Sequence, residues 1–558
     1  MMLLYVCLAG VGLVLLIQRR KLYPKPYPGI PYAKAPTAGL IGDVLDLLSA
    51  IQESNEVADS MFAVSTRKLG TPISQVIFPR FREPLIIVDD PYEVEDILTR
   101  RHSEFDKSPM AVDIFTPMFA HGTLSQFTTP QLKAQKRLWA EAMNTSFLRQ
   151  AVAPRVHETI QDLVHLWRLK ASDQAFNAHD DFMSATLDVI WGALIGETLG
   201  TVRQDIRKLQ SRRAGDKVQQ EKLPRGAFVR PQVAYINETI SRNSRTLVPT
   251  WSQKLETYTP RYRKFRKTVT EEVTLAMRNA ADRFERTDTA SCMMDLVLRR
   301  RALDAEKAGI TMSDPTTDPA ILDEMFVILV GGYDSTASTL SWFVRFMETC
   351  PAIQSQLRSI LQGKFQQLPS VSQIFDTDIP YLDAVCEETF RLAGTSKGNL
   401  RQAMVDTEIL GYKIPKGAEV LLNMHINASP YPVDDSKRSL SSQTAIAKHG
   451  NGFMGAAGQN LNSFEPRRWL EEDLVTGREV FNAYSLPSLA FGGGYRGCFG
   501  RKLANIEFRI AVALLILNFE FLELPEEYKT MRACESIFRH PEAPFVRIQP
   551  LESIKTPA

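Results

Sequence analysis

The chain has 558 residues, with 66 Lys+Arg against 64 Asp+Glu, a formal net charge of +2. That balance, with no long basic tract interleaved with aromatics, gives nucleic acid no electrostatic footprint to bind. Hydrophobic residues make up 44% of the chain, enough for a large core, and no low-complexity linker divides its middle. The six cysteines (7, 292, 350, 386, 498 and 534) include no Cys-x-x-Cys pair, so neither a zinc ribbon nor a disulfide framework is indicated and a reducing compartment is expected. The eight histidines form no His-x-x-x-His pair.

Residues 1–17 carry no charged side chain; Gln18-Arg19-Arg20-Lys21 follows, then Pro24, Pro26, Pro28 and Pro31. Seventeen helical residues span roughly 26 Å, at the short end for a bilayer. The charge comes after the apolar run, and no small-x-small cleavage site follows. That predicts an uncleaved transmembrane anchor over 1–21, with the rest of the chain cytosolic. The prolines predict a stiff hinge over 22–35, ahead of a single large globule over 36–558.

Alternating apolar residues predict a β-hairpin over 73–78 and 84–88. Asp90-Pro91 starts a helix over 92–100, and Thr129-Pro130 starts another that carries Lys133, Lys136 and Arg137. No period is clear over 104–127. Helical patterns include 182–195 and 262–284, whereas the two prolines of 224–248 predict a longer connection. Asp318-Pro319 opens a long helix to about 349. Its Gly331-Gly332 pair costs about 1 kcal/mol per glycine against alanine, so something must approach the backbone there. Asp334, Ser335 and Thr336 follow directly, and hydroxyls bonding back to the preceding turn can open a helix. In the 380–392 helix, Glu388 and Arg391 share a face. Strands are expected over 407–414 and 418–425, a surface insertion over 434–462, and a short β-like end over 538–548 that includes His540.

Phe491-Gly492-Gly493-Gly494-Tyr495-Arg496-Gly497-Cys498-Phe499-Gly500 runs into an apolar helix-like segment over 503–517. A thiolate at a helix N-terminus is favoured by unpaired N–H groups and the helix dipole. The glycines let the backbone fold tightly round the sulfur, an arrangement suited to a metal-bound thiolate in a dry site.

This loop reads Phe-x-x-Gly-x-Arg-x-Cys-x-Gly, filled by Phe491, Gly494, Arg496, Cys498 and Gly500, and resembles the haem-binding loop of the cytochrome P450 family. Three further stretches resemble family motifs in the expected order. Gly331 to Thr336 resembles the oxygen-activation motif, with Asp334 in the acid place and Ser335 where threonine is usual. Glu388 and Arg391 resemble the Glu-x-x-Arg pair, with Arg468 of Glu465-Pro466-Arg467-Arg468-Trp469 as the arginine that joins it. The usual Trp-x-x-x-Arg of the helix after Pro130 is absent. The resemblance covers about 25–550.

It implies a mainly α fold with a minor β part and an N-terminal transmembrane helix in the endoplasmic reticulum membrane, with the catalytic domain facing the cytosol. It implies haem b ligated by Cys498. Arg401, Arg496 and either Lys136 or Arg137 would pair the propionates, and Phe491 would shield the sulfur. Asp334, Ser335 and Thr336 form the proton-relay segment, and Glu388, Arg391 and Arg468 are structural. The implied activity is insertion of one oxygen atom from O2 into a small apolar substrate, a terpenoid or polyketide intermediate as in fungal secondary metabolism, with electrons from NADPH through a reductase. The rivals are a haem-thiolate isomerase or dehydratase and a non-catalytic membrane-anchored haem carrier. The retained acid and hydroxyl favour the oxygenase, because peroxide-rearranging relatives often lose that pair.

Overall fold

The structure is a computed structural model that describes residues 23–34, 39–214, 226–246, 248–284, 286, 289–428, 431–449, 460–487 and 489–552. The predicted anchor therefore lies outside the described residues. Among the described residues no helix is long and apolar enough to cross a membrane. The stretch expected to be one globule divides into two compact units. Among the described residues, one unit runs over 23–109, 396–449, 460–461 and 486–497, and the other over 110–395, 462–485 and 498–552.

The first unit is built on a five-stranded sheet in the order Ile73–Val76, Leu85–Val88, Glu419–Asn423, Gly398–Ala403, Phe105–Lys107. The predicted hairpin forms its first pair, with Ile73 opposite Val88. The proline hinge is stitched to this edge: Gln75 Nε2 donates to the carbonyls of Tyr27 and Ile30 at 2.9 Å, and Tyr27 N–H donates to Gln75 Oε1 at 2.8 Å. Residues 407–414 are not one strand. Leu410 (φ 49°) and Gly411 (φ 79°) turn the chain back, so Thr407–Ile409 pairs with Tyr412–Ile414 instead. Two successive residues with positive φ make the tight turn that suits a two-residue hairpin.

Asp90 accepts from Glu93 N–H at the start of the Pro91–Thr99 helix and takes both Nη groups of Arg438, at 2.6 and 2.9 Å. Ser439 and Ser441 donate to Asp96 on the same helix. The described start of the expected insertion is thereby tied down, and it carries a helix of its own, Leu440–His449.

The second unit is mostly helical. Its Pro319–Thr349 helix starts as predicted, with Asp318 accepting from Ala320 N–H. It packs on the His179–Ile195 helix. A Cβ added to Gly332 would meet Ile190 side-chain atoms at 2.8 Å, whereas one added to Gly331 meets nothing within 4 Å. The twin glycines therefore have different causes, and only Gly332 is demanded by helix packing. Where a connection was expected over 224–248, there is a Gly226–Ser244 helix with Pro231 inside it. Val229, Val233, Ile236 and Ile240 are all buried and recur at helical spacing, and that burial outweighs one proline near the helix start.

Glu388 is fully buried. Arg391 reaches its two oxygens at 2.8 and 2.6 Å, Trp469 Nε1 donates at 2.9 Å, Glu465 N–H at 2.9 Å and Arg468 Nε at 3.4 Å. Arg467, beside Arg468 in the chain, pairs instead with Glu479 at the surface. Removing one member of such a cluster strands buried charge, at about 3–5 kcal/mol. Glu388→Ala should therefore give poor soluble yield and a markedly lower thermal midpoint. An unchanged midpoint would contradict this structural role.

Candidate active site

In the second unit, Cys498 precedes Gly500, the N-cap of the buried Arg501–Asn518 helix. The side chain is exposed, yet the dense protein around it desolvates the thiol and pushes it up. Backbone N–H groups of Gly500 and Arg501 and the charges of Arg501 and Lys136 act the other way and favour the thiolate. These are the donors and dipole that a helix start supplies. Lys136 Nζ lies 5.8 Å from the centre of the Phe499 ring. Arg137, one residue on, points to the exposed side of its helix. Of the two cations the sequence left open, Lys136 is the one on the cysteine side.

The helix bearing Asp334 stays continuous from Pro319 to Thr349 and does not open as expected. Its hydroxyls bond back within it: Ser335 Oγ donates to Gly331 O at 2.6 Å and Thr336 Oγ1 to Gly332 O at 3.1 Å. Asp334 turns elsewhere. Its oxygens accept from Asn237 Nδ2 at 2.7 Å and Ser338 Oγ at 3.2 Å. Burial pushes its carboxyl up to about 7, against hydrogen bonds from Ser338, Asn237 and Ser536. Glu507, one turn and a half into the helix that follows the cysteine, is also wholly buried. Desolvation pushes it up to about 8, with the Thr336 hydroxyl as the opposing hydrogen bond. Sequence reading missed both Asn237 and Glu507. A lone acid in the apolar 503–517 run was a signal for Glu507; Asn237 had none.

In the first unit, strand register sets Lys107 directly opposite Arg401. Arg496 Nε lies 3.5 Å from Asp106. Burial, followed by the charges of Arg496 and Arg401, pushes Lys107 down to about 7. Burial and Arg496 push Arg401 down to about 10. Like charges opposite one another in a sheet are unfavourable. Three cations against Asp106 make a cradle for an anion of more than one charge. Lys107 was not singled out in the sequence, although it lies on the same short strand as Asp106. Gly494 (φ 61°) sits against Leu98 O, where a Cβ has no room, so the loop requires glycine there. Gly500 meets no such demand. Phe491 opens the loop half-buried. His540 stacks on His179 at 4.5 Å between ring centres, which fixes the hairpin it belongs to.

A cysteine met by N–H donors at a helix start, in the second unit, and a cluster of three cations, in the first, are each features that a haem-thiolate oxidoreductase uses. The comparisons with known proteins make the family definite. The cytochrome P450 family model matches residues 61–427 and 459–547, and the chain belongs to the cytochrome P450 family. It is 27% identical to the cytochrome P450 monooxygenase TRI13 of Fusarium sporotrichioides, over all of both chains. It is 29% identical to the monooxygenase GME11363 of Pestalotiopsis microspora, over 96% of each chain. With the monooxygenase xilC of Penicillium crustosum the identity is 28%, over 96% of this chain and 94% of the relative. A crystal structure of a cytochrome P450 (CYP102L1) shares the fold, with a TM-score of 0.67 and 17% identity, over 95% of this chain and all of that one. The protein is thus a P450 monooxygenase, in a family that binds haem iron through a cysteine thiolate and uses O2 with a redox-partner reductase.

The buried Glu507 gives a pH test. Below about 4.5, the ordinary glutamate value, folded and unfolded states both hold its proton. Between there and about 8 only the unfolded state releases it, so the native state loses stability as pH rises. Glu507→Gln removes that loss. Its thermal midpoint should rise relative to wild type from pH 5 to pH 8; an equal difference at both pH values would show that Glu507 is not protonated in the fold.

Proposed function

We propose that this protein inserts one oxygen atom from O2 into an apolar small molecule, a terpenoid or polyketide intermediate of secondary metabolism. Electrons would come from NADPH through a reductase, and residues 1–21 would anchor the enzyme in the endoplasmic reticulum membrane with its catalytic part in the cytosol. The fungal relatives support the pathway class; one, 31% identical over 246 residues, is named for the Hps1-dma1 cluster of Dothistroma septosporum. The observation that carries the reading is the place of Cys498 at the start of the Arg501–Asn518 helix, where burial pushes the thiol up and Gly500 and Arg501 N–H groups oppose it. Bound there, haem b would supply O2 activation, for which an electron-donating thiolate favours O–O cleavage.

The chain's residues then divide the remaining work. In the second unit Cys498 Sγ would ligate the iron; in the first, Phe491 would belong to the cofactor-binding loop. Arg401, Arg496 and Lys107 of the first unit would neutralise propionate charge, a role for which Lys136 is the candidate in the second. Gly494 keeps the loop close to Leu98, and Gly500 would offer its N–H to the sulfur. Asp334 would hold the proton at its buried carboxyl and Ser335 Oγ would hand it on, with Thr336 behind it, its hydroxyl on Glu507. Ser335 now donates to Gly331 O, an internal bond that it must exchange to pass a proton on. The isomerase reading is disfavoured because it has no use for this buried acid and hydroxyl.

Co-expression with a reductase, feeding terpenoid and polyketide candidates under labelled O2, should give products carrying one labelled oxygen and requiring NADPH. Product formed without NADPH would establish the isomerase instead. Ser335→Ala should consume NADPH at a comparable rate but release more hydrogen peroxide and less product, while Ser335→Thr stays near wild type. An unchanged ratio of product to NADPH in Ser335→Ala would move the relay to Thr336.

A further inference from the structure

We infer that Asn237 is a positioning residue for the Asp334 carboxyl: by turning its amide over, it keeps a hydrogen bond to that acid in both of its protonation states. This rests on the reading of Asp334 as a proton carrier given above. The contact is tertiary, between the Gly226–Ser244 and Pro319–Thr349 helices, whose second tie is Tyr333 Oη to Val233 O at 3.4 Å. Asn237 is 6% exposed, and its Oδ1 has no hydrogen-bond partner. A buried, unpartnered amide oxygen is costly, about 1–3 kcal/mol. Here it has a use. Against a carboxylate the amide must donate, as Nδ2 does now to Oδ2; against an acid whose proton sits on Oδ2, that O–H donates and the amide must accept. Half a turn about χ2 exchanges the two without moving either helix. A cation at 237 would hold the acid ionised, and an apolar residue would hold it protonated.

The groups around Asp334 leave this amide in control. Tyr333, beside it in the chain, is the ionisable group that feels its charge, and burial keeps that phenol neutral. Ser338 on the same helix, Ser536 from the C-terminal hairpin and Asn237 from the Gly226–Ser244 helix complete the set, and none of the three is ionisable. With the carboxyl raised to about 7, both protonation states are populated near neutral pH. Each proton that Asp334 gives up toward Ser335 is regained from water, and the insertion of one oxygen atom with reduction of the other to water takes two.

The test uses the full-length, haem-loaded protein without turnover. Infrared spectra recorded across pH identify the protonated Asp334 C=O band as the one lost in Asp334→Asn. Asn237→Leu should move that band to higher frequency, because the acid has lost its acceptor. It should also raise the titration midpoint by about one pH unit, since the bond lost by the ionised form is the stronger. Asn237→Gln should return both toward wild type. The product-to-NADPH ratio should follow the same midpoint. If Asn237→Leu takes up no haem, Asn237→Ala replaces it, with the same expectation. An unmoved band and midpoint in these variants, while Asp334→Asn still removes the band, would overturn the inference alone. If Asp334→Asn leaves coupling of NADPH to product unchanged, the proton-carrier reading falls first.

Discussion

One sulfur has to be an anion in surroundings that penalise anions. Desolvation pushes the Cys498 thiol up, and the forces working the other way are N–H groups at a helix start and two cations. The cations, Arg501 and Lys136, are side chains, but the N–H groups cannot be supplied by side-chain choice. The N–H groups exist because the Arg501–Asn518 helix begins at Gly500, and that helix is held by its own buried length from Leu503 to Leu517. The fold's large apolar core is, in this sense, the support for one charge-assisted interaction.

Glu388, Asp334 and Glu507, three of the buried acids of the second unit, show how environment separates role from residue type. Glu388 is surrounded by two guanidinium groups, an indole N–H and a backbone N–H, so its charge is fully occupied in holding chain segments together. Asp334 meets only neutral donors, and its proton is poised near neutrality. Glu507 has the Thr336 hydroxyl and an oxygen with no partner, and it holds its proton still more firmly. A carboxylate with strong cationic partners is a fastener; one with weak neutral partners can exchange protons.

Much of this was legible in the sequence because the relevant signals are local. The Asp90-Pro91, Thr129-Pro130 and Asp318-Pro319 starts all hold, since a cap and a first-turn proline act within four residues. The glycine loop and the Glu388–Arg391 pair were likewise short-range patterns. What failed was long-range or conformational. The Gly226–Ser244 helix was hidden by two prolines, because its stability comes from burial of one face and not from propensity. The hairpin at Leu410-Gly411 was hidden because nothing in a leucine announces a positive φ. Lys107 became visible only when strand register set it against Arg401, and Asn237 only when two helices 97 residues apart in sequence met. The choice between Lys136 and Arg137 was a matter of helix rotation, which a missing tryptophan left unanchored.

The central claim is that Cys498 Sγ is the iron ligand, and the most direct measurement is the absorption spectrum of the reduced, carbon monoxide-bound protein. The account predicts the red-shifted Soret band of a thiolate ligand in the wild type, its loss in Cys498→Ala, and its retention in Cys292→Ala and Cys386→Ala. A thiolate band that survives in Cys498→Ala would contradict it.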